Sequence, residues 1–169
     1  MRTLTLVRHA KAVAPDGRIE DHERELAPRG HEQARSIGRA TTGSPPRLVL
    51  CSTALRTRQT LEDIAAFWRS QPEIRFERAL YLAAPATILA QLESVGEDAA
   101  ALWVIGHNPG IHDLALAIAA KSPGGNFFPD LQSGFPTAAR AVFQSDAASW
   151  RDFARARNHL AEFARILKA

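Results

Sequence analysis

Short apolar runs punctuate the chain, and three of them end abruptly in polar or titratable side chains. Thr3-Leu4-Thr5-Leu6-Val7 runs straight into Arg8-His9, which predicts a buried strand with two polar side chains at its C-terminal end. Leu48-Val49-Leu50-Cys51 repeats the arrangement and closes on Ser52-Thr53. Leu102-Trp103-Val104-Ile105 does so again, closing on Gly106-His107-Asn108-Pro109-Gly110. A further strand is predicted over residues 138–143 and a brief one over 74–76. Between the strands, Ala34, Ile37 and Ala40 recur at helical spacing, so residues 31–40 read as a helix. The Gly and two prolines of residues 42–46 stop it. A second helix follows Thr53, its expected N-cap, with Leu55, Ile64, Ala65 and Trp68 inward. Pro85 suits the first turn of a helix over 85–92, and residues 111–119 form an apolar helix. Residues 124–136, rich in Gly and Pro, read as loop, and residues 152–167 as a terminal helix. The polar stretch 11–25, with Pro15-Asp16-Gly17 as a turn signal, predicts a mobile loop.

Strands alternating with helices predict an α/β fold: a three-layer α/β/α sandwich around a mostly parallel central sheet. At 169 residues, one domain spanning 1–169 is expected. With 46% hydrophobic and 23% charged residues, the chain can build a core without staples. Its single cysteine, Cys51, allows no intrachain disulfide, which suits a reducing, cytoplasmic setting. No apolar run has the length of a membrane span, and the N-terminal run has neither the apolar length nor the cleavage site of a signal peptide. A net charge of +3 suits an anionic ligand. The Lys and Arg residues form no tract, so neither a nucleic acid nor a membrane is expected as partner. Arg151, Arg155, Arg157 and Arg165 read as the solvated face of the terminal helix.

Ligands of open α/β sheets bind just beyond the carboxyl ends of the strands. Arg8, His9, Arg56 and His107 would therefore gather on one edge. A neutral imidazole can attack phosphorus, and guanidinium forks bind phosphate oxygens in pairs without losing their charge. Helix N-termini after Ser52 and Pro109 would add backbone donors. Read singly, the same residues have plainer accounts: a strand-end histidine bonded to backbone, a surface Arg8, a solvated Arg56 like Arg58, a turn-forming His107, a capping Ser52 or Asn108. Cys51 reads as a small core residue.

Together the three motifs resemble those of the histidine phosphatase superfamily, which includes the phosphoglycerate mutases. Val7-Arg8-His9-Ala10 is similar to its first motif and Ser52-Thr53-Ala54-Leu55-Arg56-Thr57-Arg58-Gln59-Thr60 to its second. Gly106-His107-Asn108-Pro109-Gly110 resembles the third motif of the SixA-type phosphohistidine phosphatases, as do Glu25-Leu26-Ala27-Pro28-Arg29-Gly30 and Phe135-Pro136-Thr137-Ala138. The resemblance runs from about Thr3 to Phe143. It implies a phosphoglycerate mutase-like fold and a metal-independent phosphatase with no cofactor. It makes His9 the phosphoryl acceptor, Arg8 and Arg56 the phosphate-binding arginines and His107 a second imidazole on the phosphate. Asn108 joins Arg8 and Arg56 in the expected substrate-binding set. The residue that holds the other nitrogen of His107 is not identifiable from the sequence.

Larger family members protonate the leaving group with a Glu or Asp downstream of the second motif. Here no carboxylate lies between Arg78 and Gln91, and Tyr81-Leu82-Ala83-Ala84-Pro85 stands in that region. An alkoxide leaving group needs a proton, whereas phosphohistidine leaves as an imidazole that protonates near neutral pH. The expected substrate is thus phosphorylated, with phosphohistidine in a protein favoured. Asp16, Asp21 and Glu23 are left as other proton sources. The alternatives are a phosphatase of small sugar or nucleotide phosphates, a non-catalytic module that binds phosphorylated ligands, and a metal-dependent hydrolase built on His9, His107 and His112. Two arginines in the pocket oppose the last of these.

Overall fold

The computed structural model describes residues 1–121 and 127–166. One sheet of six strands organises them: β1 (Arg2–Arg8), β2 (Leu48–Ser52), β3 (Glu73–Glu77), β4 (Ala101–Gly106), β5 (Arg140–Ser145) and β6 (Asn158–Ala164). They lie in the order β3-β2-β4-β1-β5-β6. The first four are parallel, β5 runs against β1, and β6 runs against β5. The mostly parallel sheet expected from the strand pattern is therefore present.

Continuous apolar runs become central strands because both faces of the sheet are covered. On one face Leu4, Leu6, Leu50, Leu102 and Val104 pack under α3 (Pro85–Glu93), α4 (Gly110–Ala119) and α6 (Trp150–Phe153) through Ile88, Leu92, Ile111, Leu114, Trp150 and Phe153. On the other, Val7, Val49, Cys51, Trp103 and Ile105 meet Ala34 and Ile37 of α1 (Pro28–Ala40) and Leu61 and Ile64 of α2 (Leu55–Ala65). These are the three layers. No helix among the described residues is long and apolar enough to cross a membrane.

Four local readings change. The first helix begins at Pro28 rather than residue 31, with Pro in its first turn, where a missing N–H costs nothing. Thr53 is not an N-cap: α2 starts after Ala54 with no side-chain cap, and the Thr53 hydroxyl pairs with His22 instead. The stretch read as loop contains α5 (Phe128–Ser133), again with Pro at its start; residues 122–126 lie outside the described part. The expected terminal helix over 152–167 is the largest correction. Only α6 is helical; the chain then turns and residues 158–164 form β6, while residue 167 lies outside the described residues. Asn158 makes the turn, its side-chain amide donating to Phe153 O at 2.8 Å and Ala156 O at 2.9 Å. Leu160 and Phe163 are spaced for a helix face, yet a bulge at Val142/Phe143 shifts the β5–β6 register and brings both into the core. Arg151, Arg155, Arg157 and Arg165 therefore share no helix face.

Two glycines set up the approach to the strand ends. A Cβ on Gly110 would stand 1.8 Å from Ala83 O, and one on Gly30 2.0 Å from Lys11 O. Any side chain there would drive the adjoining segments apart.

Candidate active site

The residues after β1 and β4 and within α2 converge on the carboxyl edge of the sheet. His9 is clamped by its backbone, its N–H donating to Gly106 O at 3.1 Å and its C=O accepting from Ala138 N at 3.2 Å. The ring of His9 lies 5.2 Å from that of His107, centroid to centroid, tilted by 56°. Its Nδ1 is 2.7 Å from Ala10 O. A carbonyl can only accept, so Nδ1 carries the proton and Nε2 presents a lone pair. Burial, assisted by the charges of Arg56, Arg8 and Arg24, pushes the His9 pKa down to about 4 against the backbone hydrogen bond to Ala10, so the ring is neutral at pH 7.

His107 is buried, and burial above all, with His9 and Arg56 adding to it, lowers its pKa to about 3. Its Nε2 lies 2.8 Å from Ser52 Oγ, while Nδ1 is buried without a partner. Ser52 is thus the holder of His107 that could not be named from sequence, since a hydrogen bond across 55 residues leaves no local signal. Arg56 reaches the site from the first turn of α2, almost fully buried. Arg8 donates from Nη1 to Phe135 O at 2.9 Å and keeps a buried, unpartnered Nε. Asn108 donates from Nδ2 to the same carbonyl at 2.9 Å, leaving Oδ1 unpartnered. The structure therefore brings Arg8, His9, Arg56, His107 and Asn108 to one edge.

The loop read as mobile is tied down over this edge. Ala12 bridges Leu26, Val13 N donates to Glu25 O at 2.9 Å, and the Arg24 side chain bonds Val13 O. The loop delivers Asp21 to Arg56: its Oδ2 accepts from Nη2 at 2.9 Å and its backbone O accepts from Nη1. The same Oδ2 accepts the Tyr81 hydroxyl at 2.6 Å, and Oδ1 accepts Arg24 Nη1 at 2.7 Å. Tyr81 first, then Arg24 and Arg56, hold the Asp21 carboxyl well below the usual carboxylate range. Tyr81 is itself shifted upward by the Asp21 hydrogen bond. Its ring meets those of His22 at 4.9 Å and His107 at 5.5 Å, both edge-on. Tyr81 and Asp21 are thus part of the site. For Tyr81 the available signal was its position where larger relatives place a carboxylate.

The other histidines stand apart from the imidazole pair. His31 bonds Asp63 at 2.6 Å, His112 donates to Leu131 O at 2.8 Å, and His159 is exposed. Among the described residues, no three His, Cys, Asp or Glu side chains gather as a metal would need. Burial pushes the Cys51 thiol up to about 12, a core residue rather than a nucleophile. Chemically, the edge offers one neutral nitrogen nucleophile, guanidiniums, and polar atoms without partners around it.

Residues 4–80 match the model of the histidine phosphatase superfamily (branch 1). An uncharacterized protein of Mycobacterium tuberculosis is 38% identical over 149 residues, which cover 86% of this chain and 90% of the relative. Among solved structures, a Nakamurella multipartitia protein carrying the name phosphohistidine phosphatase SixA superposes with a TM-score of 0.85 at 30% identity, covering 99% of this chain and 97% of that one. An Agrobacterium tumefaciens protein carrying the same name superposes with a TM-score of 0.81 at 26% identity, covering 97% of each chain.

Proposed function

The chain belongs to the histidine phosphatase superfamily and is a metal-independent phosphatase, and from that footing we propose that it removes the phosphoryl group from phosphohistidine in a protein. His9 Nε2 attacks phosphorus while the P–N bond to the substrate imidazole breaks. The substrate ring carries a proton on its far nitrogen beforehand, so the electron pair released from the P–N bond leaves it as neutral imidazole. Water then attacks the phosphoryl group on His9, inorganic phosphate departs, and the Nε2 lone pair is restored. Arg56 and Arg8 bind the phosphoryl oxygens, and His107 Nδ1–H donates to them as charge builds in the transition state. Asn108 joins them on the substrate-binding edge by fixing the Phe135 carbonyl on which Arg8 also rests.

One observation carries the choice of a phosphoramidate: the carboxylate in the pocket, Asp21, is held ionised by Tyr81, Arg24 and Arg56 and has no proton to give. A leaving group that needs no acid fits such a pocket. A macromolecular substrate is supported by the exposed apolar side chains next to the site segments, Leu82 beside Tyr81 and Ile19 two residues before Asp21. The SixA name carried by the two similar structures points the same way.

A second reading, hydrolysis of a small alkyl phosphate, rests on the same Asp21. A phosphate that takes its place on Arg56 removes one of the charges that keep the carboxyl ionised. Rates on a phosphohistidine peptide and on an alkyl phosphate, measured against a His9→Ala blank, decide between them. The phosphohistidine peptide is expected to turn over much faster; equal rates would defeat the primary reading.

A further inference from the structure

A histidine that donates to a phosphoryl oxygen must keep its proton on the nitrogen facing that oxygen. Nothing in an isolated imidazole guarantees this, because its two neutral tautomers lie close in energy. For His107 the choice falls to a single neighbour. Ser52 ends β2 fully buried, with its carbonyl accepting the Thr57 hydroxyl at 2.8 Å. Its Oγ lies 2.8 Å from His107 Nε2 and accepts a long hydrogen bond, 3.4 Å, from Ala54 N.

Two arrangements are compatible with those distances. If Nε2 bore the proton, Ser52 Oγ would accept from both Nε2 and Ala54, and the hydroxyl proton would be left without an acceptor in a fully buried place. The lone pair of Nδ1, the ring's other nitrogen, would then oppose an incoming anion. If the hydroxyl donates to Nε2, both faults vanish together: Oγ still accepts from Ala54, and Nδ1–H becomes a donor. That donor is buried and unpartnered in the free protein, next to the His9 ring. Unpaired buried donors are rare in folded proteins and mark places where a ligand completes the bonding.

We propose that Ser52 is a positioning residue that locks His107 in the Nδ1–H tautomer and so keeps a hydrogen-bond donor directed at the phosphoryl site. The proposal rests on the functional reading above, in which His107 serves the phosphoryl oxygens. Ser52 itself does not touch substrate; it acts through the imidazole, as the buried orienting partner does in other imidazole-based sites.

The test begins with protein labelled with ¹⁵N-histidine and long-range ¹H–¹⁵N correlation spectra, the His107 signals being those lost in His107→Gln. The wild type is expected to show a protonated Nδ1 and a bare Nε2; a protonated Nε2, or an even mixture, overturns the proposal without any activity measurement. Ser52→Ala is expected to move His107 toward the Nε2–H form. It should lower kcat on a phosphohistidine peptide by about 10- to 100-fold while KM changes by less than about 2-fold. Ser52→Thr, which restores a hydroxyl, should recover the Nδ1–H form and part of kcat. A Ser52→Ala protein with the wild-type tautomer, or with the wild-type kcat, overturns it. His107→Ala separates the two levels. If that variant keeps full kcat, the reading of His107 itself fails; if it is crippled while Ser52→Ala is not, the role of Ser52 alone fails.

Discussion

On the parallel side of the sheet, β1 and β4 run into His9 and His107, and β2 ends in Ser52. Arg56, Asp21 and Tyr81 close over them from α2, the 11–25 loop and the segment after β3. On the antiparallel side, β5 and β6 contribute Phe143, Leu160 and Phe163 to the core, and their tie to the chemistry is indirect: the segment before β5 supplies the Phe135 carbonyl on which Arg8 and Asn108 rest. The parallel side holds two imidazoles kept neutral by their surroundings. The antiparallel side stacks apolar groups and carries no such pair among its described residues, although it too keeps buried polar atoms without partners, Arg140 Nε and Asn158 Oδ1. The imidazole pair and the aromatic flank are kept apart, and damage to each should read out differently.

The largest separation is expected from His9→Ala. Removing the proposed nucleophile should cost on the order of 10⁴-fold in turnover and leave thermal stability unchanged or higher, since a half-buried imidazole without a side-chain partner goes with it. Quench-flow labelling checks it, and a variant that keeps most of its activity would dissolve the distinction. Phe163→Ala is the mirror image: about 3–5 kcal/mol of stability lost from the apolar side, with kcat per folded molecule within about 2-fold of wild type by denaturant titration and active-site counting. Arg56→Lys keeps the charge and loses the fork. A fall of about 10²-fold in kcat/KM is expected, with stability little altered because Asp21 retains Arg24 and Tyr81.

Smaller effects follow from pH. His9 and His107 titrate near 4 and 3 when folded, against 6.5 unfolded. Between these values the unfolded chain binds more protons, so stability is fully present above about pH 6.5 and falls as pH drops toward 4. Denaturant titrations at pH 7 and 4.5 should show the loss, and it should shrink in His9→Asn. On the activity side, with His9 as the proposed nucleophile, kcat/KM should be insensitive to its titration down to about pH 4 and fall below that as the ring protonates. The smallest effect belongs to a site outside both regions: Glu32→Ala, which breaks an exposed pair with Arg39, should change stability by less than about 1 kcal/mol and activity not at all.

The same division decided what could be read from sequence. Each parallel strand is a compact apolar run whose last residues carry the chemistry, so strand, edge and motif were legible together. The antiparallel flank was not. Phe153, Leu160 and Phe163 fit a helix face as well as a bulged strand, and what selects the strand is the open edge of β5, the strand before it, which a local apolar pattern does not register. Pro129 reads as a breaker in a loop and is the start of a short helix. Within the site, side chains that follow a strand end were visible, whereas Ser52 on His107 and Asp21 on Arg56 depend on bonds spanning 55 and 35 residues.

The carboxylate parked on Arg56 has a kinetic meaning. Any anion that docks on that guanidinium must exchange with a competitor that is tethered to the same molecule and therefore never dilutes away. The exchange weakens the grip on every phosphate, the spent one included, and a leaving phosphate finds its seat retaken at once. A catalyst wired this way trades affinity for turnover.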